Sequence, residues 1–229
     1  MAVYGGIQVP VEGLILAYDG GSERSYPKSG TSWFDLSGNN ITATFNSAPT
    51  YRPNENALHF VSESSPTQYA EVTNLNSLKF TLGDFTIESW FKTEQSGKRQ
   101  HLMGFGVVGV TPSIQFDMED TGYGFWIFYD GGGAPNVRTL THYNDGEWHQ
   151  VVVTRSGSTI TLYVDLVSKD TDTYATEFDL SSEAFVIAAD DTTPAYFYSG
   201  SIGSVKVYNR ALTDTERTQS YNQLKGRFL

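Results

Sequence analysis

Polar and apolar residues alternate with a period of two in segment after segment of this chain. Turns rich in Gly, Asn or Asp separate the segments. Phe85, Ile87, Ser89 and Phe91 interleave with Thr86, Glu88, Trp90 and Lys92. Ile160, Leu162 and Val164 interleave with Thr159, Thr161 and Tyr163 in the same way. That period puts alternate side chains on opposite faces of a strand, so one face can be given to a core. Segments 13–18, 57–60, 69–72, 147–154 and 201–208 read as further strands. The breaks between segments include Ser37-Gly38-Asn39-Asn40, Asp130-Gly131-Gly132-Gly133, Asn144-Asp145-Gly146 and Ser156-Gly157-Ser158. One helix stands out, at the C-terminus. Thr213 and Glu216 have capping-box spacing, Tyr221 and Leu224 share a side, and Gly226 is suited to end the helix in a left-handed conformation. About a dozen strands and one helix predict an all-β fold, a two-sheet antiparallel sandwich with a short C-terminal helix. Residues 1–12, with Gly5, Gly6 and Pro10, read as an N-terminal arm ahead of a single domain, residues 13–229.

Composition narrows the chemistry. A chain of 229 residues is long enough to bury roughly 70% of its unfolded surface, so it needs no covalent staple to fold. There is no cysteine, which excludes a disulfide scaffold, a thiolate zinc site, an iron–sulfur cluster and a cysteine nucleophile. The lack of cysteine also fits folding in a reducing cytoplasm. The formal net charge of −11 repels phosphate backbones, so nucleic acid is not an expected partner. No run approaches the ~18 apolar residues of a membrane span, and no membrane insertion is expected. The first residues have no basic region followed by an apolar run, so no secretion signal is expected.

Several phrases in a fixed order resemble the laminin-G-like domains of the concanavalin A-like lectin/glucanase superfamily. They are Asp35-Leu36-Ser37-Gly38-Asn39, Ala57-Leu58-His59-Phe60, Tyr69-Ala70-Glu71-Val72 and residues 84–91. Gly146-Glu147-Trp148-His149, Thr161-Leu162-Tyr163-Val164-Asp165 and residues 207–212 follow. The resemblance covers roughly residues 13–224 and implies a jelly roll of two sheets. A narrower resemblance rests on residues 13–19, 25–33 and 222–228, which look like laminin-G-like structural proteins of tailed bacteriophages. It implies a non-enzymatic virion protein: a capsid decoration, a head fibre or a tail component. The partners it implies are capsid or fibre proteins, with self-association and a host-surface glycan as further expectations. Two positions depart from the family pattern. Leu166 follows Asp165 where many relatives have Gly, which argues against a tight hairpin there. Gly203 and Ser204 stand where many relatives carry acidic residues that contribute to a calcium site.

The sequence offers candidates for three kinds of site. The superfamily includes glycoside hydrolases, which need two carboxylates about 5 Å apart for retention. The strand Gln115-Phe116-Asp117-Met118-Glu119 is the one candidate, but Gln115 occupies the nucleophile's place, so catalysis is not expected. A Ca²⁺ site could use Asp35 and Asn39, with Asp19 at the end of the first strand. The competing and preferred reading is a turn in which Asp35 and Asn39 bond the backbone. Ca²⁺ is thus the single cofactor candidate. A sugar site would need exposed rings beside polar groups, which Tyr123, Trp126, Tyr129, Asp130 and Arg138 could supply around the glycine-rich loop. The competing reading assigns these rings to core and rim. His59, His101, His142 and His149 are too scattered for a spaced metal cluster. A saccharide-binding adhesin and a glycosidase stand as alternatives to the virion reading.

Overall fold

The computed structural model describes residues 10–63, 66–72, 83–106, 113–119, 124–129, 136–175, 184–190 and 196–229. Its strands begin with β1 (Leu14–Asp19), β2 (Ser32–Trp33), β3 (Ala43–Phe45), β4 (Thr50–Arg52), β5 (Ala57–Phe60) and β6 (Ala70–Val72). Next come β7 (Phe85–Lys92), β8 (Gln100–Phe105), β9 (Ile114–Met118), β10 (Trp126–Tyr129) and β11 (Asn136–Arg138). The last are β12 (His149–Ser156), β13 (Thr159–Val164), β14 (Val167–Thr173), β15 (Phe185–Ile187) and β16 (Gly200–Tyr208), followed by the helix α1 (Asp214–Phe228). Sheet A runs β14-β13-β12-β7-β16-β5-β4, with β1 also on β16. Sheet B runs β11-β10-β9-β8-β15-β6-β3-β2. Neighbours pair antiparallel, so this is the expected sandwich of two sheets with one C-terminal helix.

The period-two pattern explains the core. Phe85, Ile87 and Phe91 of β7, Val151 and Val153 of β12, and Ile160, Leu162 and Val164 of β13 point inward. They meet Met103, Phe116, Ile127 and Phe185 of sheet B. Near β1 the rings of Tyr18, Trp33 and Phe45 stack in series, with centroids 5.1 and 5.7 Å apart. The Tyr18 hydroxyl donates to Ile41 O at 2.8 Å, so a buried polar atom is satisfied.

On β7 the alternation predicts one buried face, but both faces are buried. Thr86, Glu88 and Trp90 point out of the sandwich, and α1 lies over them. Trp90 has its centroid 5.0 Å from that of Tyr221 and 5.1 Å from that of Phe228, and Trp148 lies 4.3 Å from Phe228. Lys206, in register with Glu88, donates to Glu88 Oε1 at 2.7 Å, and the helix supplies Ser220 Oγ to both. The helix thus gives sheet A a second, smaller core.

The start of α1 is as expected. Thr213 Oγ1 accepts from Glu216 N, and the Glu216 carboxylate accepts from Thr213 N at 2.9 Å. Its end differs. The helix continues through Gly226 to Phe228, and Leu229 caps it. The extra residues carry Phe228 onto the two tryptophans, and that contact holds the last turn. The Asp165–Leu166 reading is also corrected. Asp165 (φ 51°) and Leu166 (φ 66°) form a tight two-residue hairpin, with Val164 opposite Val167. A left-handed leucine costs about 1–2 kcal/mol. Packing of Leu166 on the aromatic cluster offsets it, as do bonds to the Asp165 carboxylate from Gln150 N and His149.

Candidate functional site

Two residues beyond Trp90, the same outward face of β7 carries Lys92. There the outer surface of sheet A holds a cavity of about 440 Å³. Register puts His59 of β5 and Lys92 of β7 on either side of Ser201 of β16. Arg52 ends β4, and Glu55 lies in the β4–β5 turn. Glu94 and Gln95, just after β7, complete the rim. Ser201 Oγ donates to Glu55 Oε2 at 2.5 Å. Its oxygen lies 3.2 Å from His59 Nδ1, so the Nδ1–H tautomer of His59 completes the chain. Burial and then Arg52 push the His59 pKa down, and the ring stays neutral near pH 7. Arg52 and Lys92 approach the same oxygen, Glu55 Oε1, at 3.6 and 3.7 Å. The floor is rigid, because the buried Tyr198 donates to Lys92 O and Thr93 Oγ1 donates to Ser199 O. Gly200 is required there: a Cβ would sit 2.3 Å from Lys92 O.

The outer face of sheet B holds a second concavity, a groove of about 410 Å³ lined by Thr44, Phe45, Asn46, Tyr69 and Glu71. Thr44 and Glu71 are register partners and share a face. Tyr69 stands two residues before Glu71, and Phe197 lies 6.3 Å from its ring.

Strand β9 carries Asp117, and Glu119 follows just past its end. Asp117 is fully buried. Arg99 Nε lies 2.6 Å from its Oδ2, and His101 Nε2 lies 3.3 Å from its Oδ1. Tyr196 stacks on His101, with Arg99 over the same ring. Burial pushes the Asp117 carboxyl up to about 7 against the pull of Arg99. Gln115 Nε2 donates to Phe105 O and Gly106 O. The set is therefore a closed ion cluster: Gln115 offers no carboxylate, and Asp117 has no surface for a substrate.

Of the expected sugar-site residues, Tyr123 and Asp130 lie outside the described residues. Trp126 and Tyr129 are on β10, in register with Asp117 and Ile114. Arg138 is on β11, opposite Trp126, and its backbone N–H donates to Asp170 Oδ2. Phe125 and Ile127 are in the core. The calcium candidates have protein partners. Asp35 Oδ1 accepts from Ala17 N and Ser37 N, and Oδ2 accepts from Ser37 Oγ and Asn39 N. Asn39 Nδ2 donates to Ile15 O at 2.8 Å. Asp19 Oδ1 accepts from Gly21 N and from Arg227 Nη1, both at 2.8 Å. Among the described residues, no group of three or more His, Asp or Glu is placed to hold a metal. Sequence reasoning missed both concavities. Their residues come from separated strands, and the available signal was polar side chains on the outward face, such as Lys92 after Trp90.

A search of curated proteins finds no match to this chain. Solved structures give similar folds at low identity. A Trypanosoma rangeli sialidase in complex with 2,3-difluorosialic acid superposes with a TM-score of 0.67 at 18% identity, covering 93% of this chain and 33% of the sialidase. The binding domain of botulinum neurotoxin serotype D/C gives 0.66 at 12% identity, covering 93% of this chain and 52% of the toxin fragment. The chain thus spans a third to a half of these neighbours, and the likeness is one of fold. Residues 63–216 match the Laminin_G_3 family. That stretch is about two thirds of the sequence, and the sandwich it builds is the one seen, so the chain belongs to the concanavalin A-like lectin/glucanases superfamily.

Proposed function

We propose that this chain is a non-catalytic recognition module that binds saccharide in the groove beside Tyr69. The observation that carries the reading is the pairing of an aromatic ring with polar groups on one open face of sheet B. A tyrosine ring offers an apolar plate for the C–H face of a sugar, and Phe197 backs it. Glu71 accepts from sugar hydroxyls, while Thr44 and Asn46 add orientation. The closed state of Asp117 and the amide at Gln115 support binding without cleavage. Binding is expected to survive a chelator, because protein donors already occupy the Asp35 oxygens. A glycan array followed by titration tests this reading. Tyr69→Ala is expected to weaken the best ligand at least tenfold with thermal stability retained. Failure of the unmutated chain to bind any polysaccharide, or equal binding by Tyr69→Ala, refutes it.

The setting we propose is a virion, where the chain acts as a capsid decoration, head fibre or tail component attached to capsid or fibre proteins. What supports it is the likeness of residues 13–19, 25–33 and 222–228 to phage structural proteins. Mass spectrometry of purified particles is expected to find the chain in fixed proportion to the major coat protein. Its absence from particles overturns the setting.

A further inference from the structure

We propose that the cavity on the outer face of sheet A is a second binding site, for a small zwitterion carrying an ammonium and a carboxylate a few bonds apart. The argument starts from how the charges divide. Arg52 and Lys92 share one carboxylate, Glu55, so that end of the cavity has one positive charge in excess. Glu55 is 17% exposed, and Ser201 holds it from below. Lys92 is 31% exposed, so its ammonium reaches both the ion pair and the opening. Neither cation is within hydrogen-bonding distance of Glu55 Oε1, so each keeps donors for a ligand. The other end is Glu94. Its carboxylate is exposed, lies against Gly146, and makes no ion pair among the described residues.

The cavity is therefore neutral overall but polarised, positive at Arg52 and Lys92 and negative at Glu94. An anion alone gains at one end and is repelled at the other, and the reverse holds for a cation. A ligand with both charges meets both ends. Lys92 and Glu94 are two residues apart, so their Cα atoms are at most about 7 Å apart, which suits charges separated by three or four bonds. The neutral His59 adds no third charge. Among the described residues no Phe, Tyr or Trp ring lines the cavity, so a sugar would find no broad plate there. The inference does not depend on the saccharide reading, which concerns the opposite sheet.

Calorimetric titration of the full chain tests it with three probes: 4-aminobutyrate, butyrate and n-butylammonium. The expected result is that 4-aminobutyrate binds at least tenfold more tightly than either half. Glu94→Gln should erase the preference for 4-aminobutyrate over butyrate: 4-aminobutyrate weakens, while butyrate, relieved of the repulsion, tightens. Glu94 is exposed and makes no ion pair among the described residues, so this variant is expected to fold, and an unchanged melting temperature confirms it. Tyr69→Ala should leave all three values untouched, which separates this site from the groove. No binding of 4-aminobutyrate, equal binding of all three probes, or indifference to Glu94→Gln overturns the proposal.

Discussion

Replacing Gly203 with alanine tests how the C-terminal helix is seated. Gly203 is the extra residue of a bulge in β16, between Ile202 and Ser204. A Cβ built there falls 2.2 Å from Phe228 Cζ and 2.7 Å from Cε1, far inside contact distance. The ring has little room to retreat, because Trp148 and Trp90 hold it at 4.3 and 5.1 Å. Overpacking of this kind costs about 1–3 kcal/mol, and we expect about 2 for Gly203→Ala. At this chain length that is a fall of roughly 4–8 °C in melting temperature. Phe228→Ala removes a ring that is only 9% exposed but sits in the last helical turn, so we expect about 3 kcal/mol, the low end for a buried phenylalanine. In the double variant the clash is gone and the added methyl fills part of the void. Its cost should fall below the sum of the two singles by about 1–2 kcal/mol. Urea unfolding followed by tryptophan emission measures this, since Trp90 and Trp148 are in the cluster. A double variant that is additive within about 0.5 kcal/mol refutes the contact, as does a Gly203→Ala that unfolds like the parent.

Two pH experiments probe other joints. For His149, burial opposes the charged ring, but Asp165 at 2.7 Å and Asp145 at 3.2 Å outweigh it and raise its pKa above 6.5. Its stabilisation is therefore full below about pH 6.5 and fades as pH rises through the raised value. His149→Gln should flatten the stability curve in that window, and an unchanged curve contradicts the assignment. The Arg210 fork, with distances of 2.6 and 2.8 Å, holds the Glu216 carboxyl at about 2, so its contribution is present above pH 4.5 and lost as pH falls towards 2. With Glu216 partly exposed and screened, Glu216→Gln should cost on the order of 1–2 kcal/mol at pH 7 and nothing near pH 2 by chemical denaturation.

The period-two alternation and the capping box are local signals, and local structure follows them. The helix end and the Asp165–Leu166 hairpin were read differently because distant contacts decide them. Gly226 would end an isolated helix, but Phe228 has two tryptophans to reach. Leu166 resists positive φ on its own, yet it packs against the same cluster. The Asp35 turn was legible because Asp35, Ser37 and Asn39 bond within five residues and to the neighbouring β1. Neither concavity could be read from one segment. The sheet A cavity joins Arg52 to Ser201 through registers that only the folded sheet sets. Segments 13–19, 25–33 and 222–228 carry structural joints. Ser25 Oγ donates to Phe34 O and accepts from Asp19 N, and Asp19 pairs with Arg227, so the two ends of the domain are tied together.

The outward face of β7 shows how one strand serves both stability and recognition. Thr86, Glu88, Trp90 and Lys92 occupy equivalent positions along it. The first three lie under or against the helix segment. Thr86 Oγ1 donates to Arg210 O and accepts from Leu212 N, Glu88 meets Lys206 and Ser220, and Trp90 meets Tyr221 and Phe228. Lys92 is beyond the last helical residue and opens onto the cavity. The length of α1 therefore sets the boundary between closed and open sheet. A helix that stopped at Gly226 would uncover Trp90 and Trp148, an aromatic surface prone to association. Phe228, seated over Gly203 and against both tryptophans, keeps that aromatic surface closed.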